Sequence, residues 1–313
     1  MLRGLSRDDA AVEAVARYCA NPFPPQPLPP PPVFPLATEP HVADWSRYAA
    51  EAGGDPFAYL QRSLPQLGVP IRAGISKTDA YGRVARRGEP CLEETFGERL
   101  RLQRPQALRL VIHQHPAGAL PVLVSSERGD FETLVRALAC RSEPEPISSS
   151  VNAQMVAGFI NWERVQRYRD AWLAEGGSQD GWPEEMARAA REESWRFYDR
   201  FMLTCERPYS DVSASQLGLA MSEADWVEKS TLLRVEHEFT HYATKRAFGA
   251  MSLHLFDETI ADFMGTTLAL GTFRAEWFLR FLGLEAWPAV RTPAASTPTG
   301  RTWRGRPSSC CAS

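Results

Sequence analysis

The sequence predicts an α+β protein, predominantly α-helical, with a metal-site helix pair and a small β-hairpin or sheet upstream. Three observations predict it. Long apolar-striped segments with caps fill the second half of the chain. Two short apolar runs around Pro116-Ala117-Gly118 have strand character. Finally, 313 residues with 44% hydrophobic content suffice for a full core.

Taken in order, residues 6–18 are expected to form a helix capped by Ser6, with Asp9 near its free N–H groups. Residues 22–35, PFPPQPLPPPPVFP, exclude helix and central strand, because proline fixes φ and lacks a donor. They should form a polyproline II spacer, with docking to a proline-binding module as the alternative. Helices follow near 40–52 and 55–63, the second with Asp55 as cap and Pro56 in its first turn. A further helix is expected over 76–87, stopped by Gly88. Strands over 108–113 and 120–124 flank the hairpin connection, and a helix over 129–141 comes next. The proline-broken link 142–150 is the best internal boundary.

From 184 onward the pattern is read as helical. One run covers 184–204, where Trp195, Phe197, Tyr198 and Phe201 read as packing residues. A longer one covers 223–248, with Ser222 as cap and Gly249 as stop. Helices near 257–270 and 272–284 complete the set. Past about 288 the chain is rich in Thr, Pro, Ser, Arg and Gly, which reads as disorder. The tail is expected to depart there from a longer parental domain. The organisation is therefore 1–40, helix and proline-rich arm; 41–145, an α+β part; 146–286, a helical metal-site part; and 287–313, a disordered tail.

Composition excludes several functions. A formal net charge of -3 offers no basic footprint for nucleic acid. No uncharged apolar run is long enough for a membrane span, and no apolar leader is visible at the start. The expected location is cytoplasmic. The six cysteines include no C-x-x-C pair, so a thiolate zinc site is unsupported and reduced thiols are expected.

One segment carries chemistry: His237-Glu238-Phe239-Thr240-His241. Histidines four apart are separated by about 40° around a helix, so both rings leave one face and can meet a single Zn²⁺. Glu238, beside the open side of the metal, can take a proton from the activated water. The competing explanation is a pair of helix-face histidines that make ordinary hydrogen bonds. A third ligand is offered by Glu258. Asp262, one turn later on the same face, is placed to orient a ligand histidine. Against this, Asp257 and Glu258 could simply favour a helix N-terminus.

The pattern His-Glu-x-x-His followed by Glu-x-x-x-Asp resembles that of gluzincin zinc metallopeptidases. The resemblance implies His237, His241 and Glu258 as metal ligands, Glu238 as general base and Asp262 as partner of a ligand histidine. It covers about 222–270. The runs HEFTHYATKRAFG, DETIADFMG, ISKTDAYGRVARRGE and SEPEPISSSVNAQMVAGFINWERV also look like an uncharacterised bacterial domain family with the His-Glu-Phe-Thr-His core. The chain departs from the gluzincin pattern in two ways. The gap between His241 and Glu258 is short. No tyrosine follows Tyr242 and no histidine follows His254, so Tyr209, Tyr198, His254 or a late arginine would have to stabilise the oxyanion.

The resulting expectation is a zinc-dependent hydrolase for a peptide or small amide substrate, of undetermined oligomeric state. Two rivals stand beside it: a closed structural zinc site completed by Asp257 or His254, and a non-catalytic scaffold that binds a partner. His113-Gln114-His115, a second pair of imidazoles, reads as turn-associated. Ser148, Ser149 and Ser150 have no paired base in the sequence to make a nucleophile. Arg86 and Arg87 suit a helix end.

Overall fold

A computed structural model describes residues 32–249 and 254–287, with isolated positions at 9, 10, 12, 13, 16, 30, 289 and 291. The five N-terminal positions among these are helical. The rest of the 6–18 helix, most of the proline-rich arm and nearly all of the tail beyond 288 lie outside the described residues. The fold is α+β with helix predominating, as the sequence predicts.

The chain divides into two compact units. The first comprises Thr38–Gln114 and Ala119–Arg207. Its helices are α1 (Val42–Glu51), α2 (Pro56–Ser63), α3 (Arg128–Ala139), α4 (Trp162–Ala174) and α5 (Trp182–Glu192). Its strands are β1 (Arg109–His113), β2 (Leu120–Ser125), β3 (Ala153–Ile160) and β4 (Tyr198–Cys205), ordered β1-β2-β4-β3. β1 and β2 pair antiparallel, as do β3 and β4. β2 and β4 run parallel, which requires the long crossover through α3, β3, α4 and α5. The β3–β4 register shifts between Ala157 and Phe159, where Gly158 adopts a φ of +73°. The core brings together Trp45 and Tyr48 of α1, Leu60 of α2, Phe131 of α3 and Phe201 of β4.

One buried polar knot accompanies that core. Asp199 accepts hydrogen bonds from Trp45 Nε1 (2.7 Å), Asn161 Nδ2 (2.8 Å) and Arg164 Nη2 (2.7 Å). Arg164 also reaches Asp44 at 2.6 Å. Both carboxylate oxygens of Asp199 are thereby given protein donors in place of water.

Three readings are corrected. Residues 184–204 are not one helix: α5 ends at Glu192, Ser194–Arg196 make one tight turn, and Tyr198–Cys205 is an interior strand. The expected helix over 76–87 is three short pieces, Ile75–Lys77, Asp79–Tyr81 and the wide turn Gly82–Arg86. The 146–286 segment is not uniformly helical, since it supplies β3 and β4, and residues 142–150 lie inside the first unit.

The second unit includes Pro208–Thr292 and the short segment His115–Gly118. It holds α6 (Glu223–Phe248), α7 (His254–Leu270) and α8 (Ala275–Phe281). Ser222 caps α6 by accepting from Asp225 N at 3.1 Å, and Gly249, at φ +76°, ends it. Trp226 and Trp277 anchor the packing, and their indole N–H groups donate to Val212 O (2.7 Å) and Leu217 O (3.0 Å). α7 lies close against α6 because residue 265 is glycine. A Cβ there would stand 2.6 Å from Leu233 O. Among the described residues no helix is long and apolar enough to cross a membrane.

Candidate metal centre

α6 carries His237 and His241 one turn apart, and α7 carries Asp257, Glu258 and Asp262 across from them. His237 Nε2 and His241 Nε2 are 3.1 Å apart. Glu258 Oε2 lies 3.3 Å from the first and 3.6 Å from the second. Two donors on a tetrahedral zinc, each at about 2.0–2.1 Å from it, stand roughly 3.3–3.4 Å apart. The three separations straddle that value, so the spacing of this donor set suits such an ion. Among the described residues no fourth His, Cys, Asp or Glu joins the group.

Each imidazole is held from behind. Asp262 Oδ1 lies 2.9 Å from His237 Nδ1, and Asp257 Oδ2 pairs with His241 Nδ1. A carboxylate on Nδ1 holds a proton there, so an ion would have only the Nε2 proton to displace. Tyr209 completes this layer: its hydroxyl donates to Asp262 Oδ1 at 2.6 Å and sits 3.2 Å from His237 Nδ1. Its backbone N–H donates to buried Ser230 Oγ at 3.0 Å, and its ring packs edge-on against Phe281. The next two residues, Ser210 and Asp211, adopt φ of +52° and +55°, a strained turn that aims Tyr209 inward.

The electrostatics follow from this packing. Burial disfavours charge on either ring, but Asp262 and Glu258 push His237 up to about 9. Asp257 and Glu258 likewise push His241 up to about 10 against its burial. Burial alone would raise Glu258, yet the His237 and His241 rings hold it well below the usual carboxylate range. Burial, then the Asp262 carboxylate, push Tyr209 far above its ordinary value, so its hydroxyl remains a donor. Glu258 is the open member of the set, with its side chain 47% exposed. Glu238 follows His237 on α6, and its charge acts on both histidines and on Tyr209.

The structure brings His237, His241, Glu258 and Asp262 together. Two assignments change. Asp257, weighed as a helix-end residue or a fourth ligand, turns its Oδ2 to the Nδ1 side of His241, away from the ring nitrogen that faces Glu258. Tyr209, considered for the oxyanion, lies on the Nδ1 side of His237, away from the Nε2 that faces Glu258. The spacing of Asp262 from Glu258 was a usable signal for a supporting carboxylate, whereas Asp257 carried none. Nothing local marked Tyr209. The side chain of His254 lies outside the described residues.

His115 is accounted for within the same unit. Its Nδ1 accepts from Ala117 N at 3.0 Å, its Nε2 lies 3.8 Å from buried Glu236, and its ring packs on Phe239. His113 sits at the end of β1.

The helix pair and its donors define a compact His-His-Glu centre on an α+β chain. The chain belongs to a family of unknown function, DUF7005, whose match covers residues 1–295. No curated protein and no solved structure matches it.

Proposed function

We propose that the chain is a zinc-dependent hydrolase acting on a peptide or small amide bond. The observation that carries this reading is the triangle of Nε2, Nε2 and Oε2 atoms at 3.1–3.6 Å, with no fourth protein donor among the described residues. A closed structural site would use four protein ligands, whereas a catalytic one keeps a position for solvent or substrate. His237, His241 and Glu258 would hold the ion, which when bound supplies Lewis-acid polarisation of a carbonyl oxygen and acidifies a water. Asp262 and Asp257 keep the two rings in the tautomer that binds. Glu238 takes the proton of the attacking water and delivers it to the leaving nitrogen. The likeness to the gluzincin pattern supports the same assignment, and a cytoplasmic site of action accompanies it.

Elemental analysis of the purified chain tests the metal, and two substitutions test the chemistry on a panel of peptide and amide substrates. Glu238→Gln is expected to retain about one zinc per chain and lose hydrolysis, by at least about 10²-fold. His237→Ala is expected to lose the zinc itself. Absence of zinc in the parent, or its release by Glu238→Gln, overturns the assignment.

A further inference from the structure

Successive turns of α6 hold a single residue, Tyr209. Its backbone N–H donates to Ser230 Oγ at 3.0 Å, and its hydroxyl sits 3.2 Å from His237 Nδ1. Between these two contacts, the Arg234 guanidinium lies over the Tyr209 ring, its carbon 5.7 Å from the ring centre. Positions 230, 234 and 237 are spaced i, i+4 and i+7, so the three side chains form one stripe along the helix. Arg234 Nη2 also reaches the carbonyl oxygen of Pro208, the residue before Tyr209, at 3.4 Å. That contact is long and adds little by itself, which leaves the ring as the main surface the guanidinium meets on this segment.

Arg234 is the only buried arginine or lysine among the described residues, at 5% exposure. Arginine is seldom fully buried, because desolvating its charge is costly. The segment beside it needs holding. Ser210 and Asp211 stand at φ +52° and +55°, a region costly for side chains other than glycine, and such strain persists only where the surroundings over-determine it.

We infer that Arg234 is a positioning residue of the metal centre. It presses on the Tyr209 ring so that the hydroxyl stays on Asp262 and, through that carboxylate, on the Nδ1 side of His237. A planar guanidinium suits this task, since it stacks on a ring face while its edge donates sideways. Its effect on metal affinity rests on the zinc reading proposed above, whereas its hold on Tyr209 does not.

Arg234→Met, which keeps much of the length and loses the charge and the fork, tests both parts. In the metal-free chain, amide hydrogen exchange at Tyr209 should quicken at least about tenfold, while the amides of Leu233 and Phe239 in α6 stay parent-like. Zinc affinity, by chelator competition, should fall about tenfold. In a Tyr209→Phe background the same substitution should change it less than about twofold, since the hydroxyl it positions is gone. If Arg234→Met fails to fold, Arg234→Lys replaces it with the same expected directions. Unchanged exchange at Tyr209 overturns the inference, as does a rise spread evenly along α6, which marks a general packing role. Full loss of zinc affinity in the Tyr209→Phe background overturns it too. Parent-like zinc affinity with hydrolysis alone lost would place the guanidinium on the substrate instead. A parent that binds no zinc sinks the proposed hydrolase, and the exchange result then still decides whether Arg234 holds Tyr209.

Discussion

The hydroxyl of Tyr209 and the proton-bearing side of His237 meet on one atom, Oδ1 of Asp262, at 2.6 and 2.9 Å. Tyr209 thus orients the carboxylate that orients the His237 ring. Tyr209→Phe removes one hydrogen bond and little volume. Zinc affinity, read by competition with a chromogenic chelator, should fall about 10-fold or more. Unchanged affinity would show that Asp262 needs no help.

Asp257 and Asp262 do equivalent work for the two rings. Asp257→Asn and Asp262→Asn each keep an acceptor but lose the charge. Each should weaken zinc binding about 10–100-fold in the same chelator assay. A large loss in only one of them would show that the two supports are not equivalent.

Gly265 sets the distance between α6 and α7. Gly265→Ala places a Cβ where Leu233 O stands 2.6 Å away, so the helices must part. The expected cost is about 1–3 kcal/mol in denaturant unfolding. Zinc affinity should fall with it, since Glu258 moves with α7 while the histidines stay on α6. Parent-like stability would mean that the helix pair yields easily at this crossing.

Asp44 gives a pH test away from the metal. Burial raises its carboxyl, but hydrogen bonds from Arg164 and Arg167 outweigh that and hold it below its ordinary value. A depressed folded-state value stabilises the fold above the unfolded-state value and ceases to do so as pH falls through the folded one. Asp44→Asn should therefore cost about 1–3 kcal/mol near neutrality. The gap to the parent should hold down to about pH 4 and close below it. Urea unfolding at stepped pH measures this. A gap that widens in acid would refute the assignment.

Legibility from sequence followed how local each determinant was. α6 was expected over 223–248 and spans Glu223–Phe248, because Ser222, the apolar stripe and Gly249 are all in the segment itself. The β1–β2 hairpin was readable from its turn residues for the same reason. β4 was not. Its Asp199 and Arg200 break the apolar run, and Asp199 can enter the interior only because Trp45, Asn161 and Arg164 arrive from elsewhere in the chain. β3 hid behind the bulge at Gly158, which interrupts its alternation. At the centre, His237, His241, Glu258 and Asp262 could be named from helical spacing. Tyr209 could not, since its approach depends on the turn at Ser210 and Asp211 and on the packing of α8.

α7 would give one donor to the proposed ion and carries the carboxylate behind each imidazole, while α6 carries both imidazoles. Neither helix by itself retains a fragment of the centre that would grip a metal well. Parting the two would strip away Glu258, Asp257 and Asp262 in a single event and leave α6 with two unsupported imidazoles. Occupancy by an ion would then serve as a direct gauge of whether this helix pair is docked.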